Sequence, residues 1–298
     1  MPSRTIALDG PLDIGLTLGP NVRGTGDPAM RLGRGWAIRA TRTPDGPATI
    51  ELSLRGSALH VEAWGPGAER VLGGAPALAG IQDGRESFAP PGRLLAELHH
   101  RMPGLRIGRT GAVLEALIPA ILEQKVTGTE ARRAYRGIIA RWGEPAPGPF
   151  GLHLLPSPET LARMPYEAFH PLGLERRRAD LVRTVAARAS RFEEIVTMPL
   201  PDAYRRLTAL PGLGPWTAAE VALRALGDPD AVSIGDYHLP SLVAFALAGE
   251  RRATDARMLE LLEPYRGHRG RVIRLLEASG IRPEARGPRM APRSIAAI

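Results

Sequence analysis

From Ala48 to Arg55, small or apolar side chains alternate with polar ones without a miss. A two-residue period of this kind predicts a strand with one buried and one solvated face. Leu59-His60-Val61-Glu62-Ala63-Trp64 has a similar pattern after Gly56-Ser57, and Trp36-Ala37-Ile38-Arg39-Ala40 precedes the first run across Pro44-Asp45-Gly46. Short runs separated by turn residues predict an antiparallel meander, so residues 1–85 read as a β-rich domain. From about residue 92 the period becomes helical. Ala131, Ala134, Tyr135, Ile138, Ile139 and Trp142 fall on one helix face, Gly143 and Pro145 end it, and Thr127 and Glu130 have the spacing of a capping box at its start. Helices are also predicted over 111–124, 157–163, 175–189 and 268–279. Residues 86–282 therefore read as a helical domain. The stretch 283–298, rich in Arg, Pro and small residues with no apolar face, reads as a flexible tail.

The hairpin segment Leu210-Pro211-Gly212-Leu213-Gly214-Pro215-Trp216-Thr217-Ala218 carries the most information. Asp202 can cap a short helix before it that bears Tyr204 and Leu207. Pro215 suits the first turn of a second helix with Ala218, Val221, Ala222 and Ala225 on its apolar side. Two close glycines let the backbone turn tightly and approach a ligand, and amides at a helix start suit a phosphate oxygen. Such contacts position a duplex without reading its sequence. An ordinary helix pair with a glycine turn would look the same from this segment alone.

Composition sharpens this in three ways. The chain has 298 residues, 44% of them hydrophobic, enough for a sizeable core, and its net charge of +8 permits a polyanionic partner, although a basic solvated surface gives the same number. It has no cysteine, which excludes disulfides, thiolate zinc sites and iron–sulfur clusters. Lys125 is the single lysine among 39 basic residues. The most apolar stretch, Val113 to Leu122, is broken by Glu115 and Pro119, and no apolar signal core follows Met1-Pro2-Ser3-Arg4. Neither secretion nor a membrane partner is expected, and a cytoplasmic, nucleoid-associated monomer is.

The hairpin, together with Asp236 in Ser233-Ile234-Gly235-Asp236-Tyr237-His238-Leu239, resembles the helix-hairpin-helix DNA glycosylase superfamily, most of all its 3-methyladenine DNA glycosylase II branch. Ile121-Leu122-Glu123-Gln124-Lys125-Val126-Thr127 is similar to the family's helix end and wedge loop. Leu172-Gly173-Leu174 with the arginine-rich helix after it, and Pro264-Tyr265-Arg266, fit as well. The likeness runs from about Ala112 to Ile281 and more weakly over the strands. The fold class it implies is mainly α with an N-terminal α+β portion: a glycosylase helical bundle plus a small antiparallel-sheet domain.

What the resemblance implies about activity is excision of alkylated bases by a monofunctional glycosylase acting on double-stranded DNA that contains damaged bases. Asp236 would be the catalytic carboxylate, stabilising positive charge on the sugar and orienting water. It is also well placed to cap the helix that follows, and the two roles are compatible. Trp216, Tyr237, Tyr265 and Glu220 would line the pocket for the flipped base. Gln124, Lys125, Pro211, Gly212, Leu213, Gly214 and Thr217 would meet the DNA. The alternative for Trp216, and more so for Tyr265, is a core aromatic, and for Lys125 a solvated helix end. Glu220, where relatives carry an aromatic residue, either favours cationic bases or pairs with Arg224 four residues on. His238 is more ordinary as a capping or phosphate-contacting residue than as an acid or base.

Family members that also cut the strand have a lysine where Trp216 stands, so no lyase activity is expected. Neither a cofactor nor a metal is required, while the resemblance allows a monovalent cation on hairpin carbonyls. Two other readings stay open: a non-catalytic helix-hairpin-helix DNA-binding protein, and a glycosylase for deaminated or oxidised bases.

Overall fold

The computed structural model describes residues 2–283, so the tail expected at 283–298 lies, apart from Pro283, outside the described residues. Strands β1 (Ser3–Ala7), β2 (Met30–Gly33), β3 (Trp36–Thr43), β4 (Gly46–Arg55) and β5 (Ala58–Trp64) form one antiparallel sheet in the order β1-β5-β4-β3-β2. The predicted meander is β3-β4-β5, and its tight loops pair Thr43 with Gly46 and Arg55 with Ala58. The two edge strands add to it. β1 is exposed at four of its five positions and β2 is only four residues long, so neither has a period to read.

Leu52 pairs with both Ala37 and Val61, which sets the inward side chains of β3, β4 and β5 on one apolar face. Helix Ala68–Leu78 covers this face with Ala68, Leu72, Ala75 and Leu78. Each large aliphatic side chain buried there contributes roughly 1.5–3 kcal/mol. This helix gives the N-terminal part its α+β character, and Gly73, Gly74 and Pro76 conceal it from a periodicity argument.

The helical part is built on two apolar clusters. Helix Val113–Leu122, buried at every position except Glu115, is the axis of the first and is packed by helices Gly128–Trp142, Arg176–Ala186 and Pro215–Val221. Glu115 interrupts the apolar run for a reason: its carboxylate accepts from Arg39 at 2.5 Å, Thr41 Oγ1 at 2.9 Å and the Arg42 amide at 2.8 Å, tying this axis to β3. The second cluster joins helix Arg93–Arg101 to helices Leu239–Ala248, Asp255–Leu262 and Arg269–Ser279. The chain thus enters the second cluster, leaves it for the first, and returns. The loop with Asp236 lies where it makes the return.

Local signals are realised closely. Thr127 and Glu130 make both halves of the capping box, and Ser157 accepts from the Thr160 amide ahead of helix Pro158–Arg163. One expectation fails. Helix Leu200–Thr208 has Pro199 at its cap, while Asp202 stands in the first turn and pairs with Arg205. Proline's fixed backbone already sets the helix entry, leaving Asp202 one turn too late to cap it.

After Val221 the second hairpin helix widens into a π turn, Ala222–Leu226. The carbonyls of Arg224 and Ala225 there accept the amides of Thr110 and Gly111 at 2.9 and 3.0 Å, just ahead of helix Val113–Leu122.

Candidate active site

The hairpin turn closes through the Leu213 amide, which donates to the Leu210 carbonyl at 3.0 Å. Gly212 has φ 99° and packs on helix Arg176–Ala186 so closely that a Cβ would lie 3.1 Å from the Leu181 side chain, so glycine is demanded there. At Gly214 nothing in the protein makes this demand. Its Cβ would point into open space, leaving the backbone accessible from outside. Among the described residues no backbone carbonyl takes the amides of Gly214, Trp216 or Thr217. Leu213 and Thr217 are only 3% and 2% exposed, so their side chains shape the turn from within, while Pro211 is exposed on its outside.

Gln124 belongs to the same unit. Its Nε2 donates to the Gly212 carbonyl and to Thr217 Oγ1, both at 3.0 Å, which joins the predicted wedge loop to the hairpin. Lys125, next in the chain, is exposed and is the only non-glycine residue with positive φ, 56°, among the described residues.

Asp236 faces this unit. The Trp216 indole Nε1 donates to its Oδ2 at 3.1 Å, and the amides of His238 and Leu239 donate to its Oδ1 at 2.7 and 3.0 Å. The first contact brings the carboxylate beside the second hairpin helix. The others use it to satisfy the start of helix Leu239–Ala248, although His238 occupies the formal cap position. Asp236 is half-buried, and among the described residues no arginine or lysine pairs with it. The site is therefore a carboxylate fixed by three neutral donors and open on one side.

The other candidates part company here. Trp216, half-buried, orients Asp236 through its ring nitrogen. Tyr237 is 89% exposed and lies edge-on against His238, with ring centroids 4.9 Å apart. Tyr265 packs against the second apolar cluster and donates to the Pro91 carbonyl at 3.2 Å, and burial raises its hydroxyl pKa. These contacts are with the second apolar cluster and not with Asp236. Glu220 is largely buried and pairs with Arg224, as the four-residue spacing allowed. Its second oxygen accepts from Ser233 Oγ at 2.6 Å, a partner that no local pattern could indicate. Among the described residues no cluster of three or more His, Asp or Glu could hold a metal ion, and no helix is long and apolar enough to cross a membrane.

No protein-family model matches the chain. Over 158 residues it is 35% identical to the "Probable bifunctional transcriptional activator/DNA repair enzyme AlkA" of Mycobacterium tuberculosis, a match covering 51% of this chain and 31% of that protein. It is 28% identical over 176 residues to the "DNA-3-methyladenine glycosylase 2" of Escherichia coli, covering 58% of this chain and 61% of that one. In both cases the chain spans less than two thirds of the relative. Among solved structures, the 3-methyladenine DNA-glycosylase from Archaeoglobus fulgidus superposes with a TM-score of 0.78 over 92% of this chain and 97% of its own, at 21% identity. The chain is thus similar in sequence to 3-methyladenine DNA glycosylases and shares their mainly α fold with its small N-terminal sheet, so the resemblance seen in the hairpin and Asp236 extends to the architecture around them.

Proposed function

We propose that this protein is a monofunctional DNA glycosylase that flips alkylated bases of the 3-methyladenine type out of double-stranded DNA and hydrolyses the bond between base and sugar. The observation that carries the reading is the position of Asp236: a carboxylate with no cationic partner among the described residues, held by the indole of a residue two positions after Gly214. The hairpin amides would take a backbone phosphate, and the strand would then run past the carboxylate.

In the reaction the bond between C1′ and the base nitrogen breaks with its electron pair going to the base, and water adds to C1′ while losing a proton. Positive charge gathers on the sugar. Asp236 would stabilise that charge and orient the water, and its fixed donors mean that little reorganisation is needed as the charge grows. Extruding the nucleotide costs roughly a few kcal/mol, less for a damaged base. Trp216 and the exposed Tyr237 are the aromatic faces near the carboxylate that could receive it, with a cation–π gain of roughly 1–2 kcal/mol for a cationic purine. Tyr265 supports the reading least, since its hydroxyl is bonded to the Pro91 carbonyl and its ring leans on the second apolar cluster.

The hairpin is also compatible with a monovalent cation. Among the described residues no donor reaches the Leu213 carbonyl, and together with that of Leu210 it would tie a cation to a phosphate oxygen. A cytoplasmic monomer acting on chromosomal duplex fits the same reading.

The test is release of free base from alkylated duplex DNA. Release of methylated purines supports the proposal. Intact duplex affinity with no release supports a DNA-holding protein, and release only from deaminated or oxidised duplex moves the substrate class. Borohydride should trap no covalent complex with DNA, because Trp216 occupies the place where a lysine would form a Schiff base. A complex trapped at Lys125 would overturn the monofunctional assignment.

A further inference from the structure

Trp216 and Glu220 are one helical turn apart, so their side chains leave the second hairpin helix on one side. Trp216 reaches Asp236, and Glu220 reaches Ser233 at 2.6 Å. One helix thus fastens the carboxylate loop at two points three residues apart, on either side of Gly235 with its φ of 92°. Ser233 is buried and Gly235 is exposed, which makes the Ser233 tie the inner of the two.

The second oxygen of Glu220 holds the Arg224 guanidinium, whose Nε donates to the Pro20 carbonyl at 3.1 Å. In the same N-terminal segment, Arg23 pairs at 3.2 Å with Glu123, the residue before Gln124. Burial and the nearby Arg224 charge lower the Arg23 pKa. Burial would lower Arg224 too, but Glu220 and Glu123 outweigh it and raise the pKa. The four charges therefore form one balanced cluster beneath the site. Its members belong to the N-terminal segment, the wedge side, the hairpin helix and, through Ser233, the Asp236 loop.

We propose that Glu220 is a positioning residue for Asp236: bound to Arg224 through one oxygen and to Ser233 through the other, it keeps the carboxylate loop in register with the hairpin. Both its oxygens are engaged, so it is an anchor and not a free anion awaiting a cationic base. The inference rests on the glycosylase reading for its consequence in catalysis, and on geometry alone for the fastening.

The experiment has two arms, run on the full chain for wild type, Ser233→Ala, Glu220→Gln and the double variant. Hydrogen exchange without DNA reads the fastening, and single-turnover release of methylated purine at saturating enzyme reads its consequence. The amides of Ile234, Gly235 and Asp236, which donate to the Val232 carbonyl, the Asp255 carboxylate and the Ser233 carbonyl, should exchange about tenfold faster in each single variant, with helix Leu239–Ala248 unchanged, and release should slow about tenfold, the worth of one hydrogen bond to a charged group. Affinity for undamaged duplex should hold, and the double variant should be no slower than the slower single one. Unchanged exchange in both single variants, full release rates, or losses that add in the double variant would each overturn the proposal. Ser233→Ala leaves the Glu220–Arg224 pair intact, so it remains informative even if Glu220→Gln folds poorly. A wild type that releases no base from any lesion would sink the glycosylase reading, while the exchange arm would still decide whether Glu220 fastens the loop.

Discussion

Asp228 and Asp230 sit in a turn shortly before the Asp236 loop, and the two regions treat their carboxylates differently. Asp228, buried, accepts the Tyr204 hydroxyl at 2.8 Å and the Asp230 amide at 2.9 Å. Burial first, and then the Asp228 charge, push the Tyr204 hydroxyl pKa far up, so the phenol stays a donor. Asp230 pairs with Arg269 at 2.5 Å and accepts the amides of Gly267 and Arg269, which fixes the start of helix Arg269–Ser279. Asp236 accepts three directed contacts, and all its donors are uncharged. A carboxylate already neutralised by a guanidinium has little field left for a developing cation, whereas one held by amides and an indole keeps it. Among the described residues Asp228 has no ion pair either, but it is buried, so Asp236 is set apart from both neighbours by lacking a guanidinium partner while staying only half-buried.

The sharpest way to break the contrast is Asp236→Asn, for which base release in single turnover should fall roughly 10²–10³-fold while duplex affinity by anisotropy is kept. Comparable rates in the mutant would remove Asp236 from its role. Asp230→Ala should do the reverse, lowering unfolding free energy by about 2–3 kcal/mol in urea titrations with the rate per folded molecule intact.

The Asp230 effect also has a pH signature. Burial alone would raise its pKa, but the bonds donated by Arg269 and Gly267 outweigh it and lower the value. Its stabilising share is therefore complete above the unfolded value of about 3.9 and is lost as pH falls through the lower folded one. A smaller effect is expected from Trp216→Phe, which keeps a smaller aromatic face but removes the indole donor, so release should slow about tenfold. Smallest should be Lys125→Ala. If the residue meets a phosphate, the slope of log affinity against log salt should fall by about one, with little change in release at saturation.

Much of this was legible because the signals are local. The capping box at Thr127, the helix start at Ser157-Pro158, the alternation in β4 and the glycine hairpin each depend on residues within a few positions of one another. Asp236 could be singled out from its neighbours, but only the fold brings Trp216 to its Oδ2. No local pattern marks helix Ala68–Leu78, because its stability comes from the sheet it covers and not from its own propensity. The wedge-loop likeness singles out Gln124, while its partners Gly212 and Thr217 are about ninety positions away. Ser233 as the partner of Glu220, and Pro20 as that of Arg224, are equally long-range, and no spacing argument reaches them.

The π turn at Ala222–Leu226 has a mechanical consequence. By giving the carbonyls of Arg224 and Ala225 to the chain at Thr110 and Gly111, it works as an axial stop. The helix carrying Trp216 and Glu220 cannot slide lengthwise without peeling that strip of backbone away, so a load on the hairpin would pass into the buried Val113–Leu122 rod rather than shear the site.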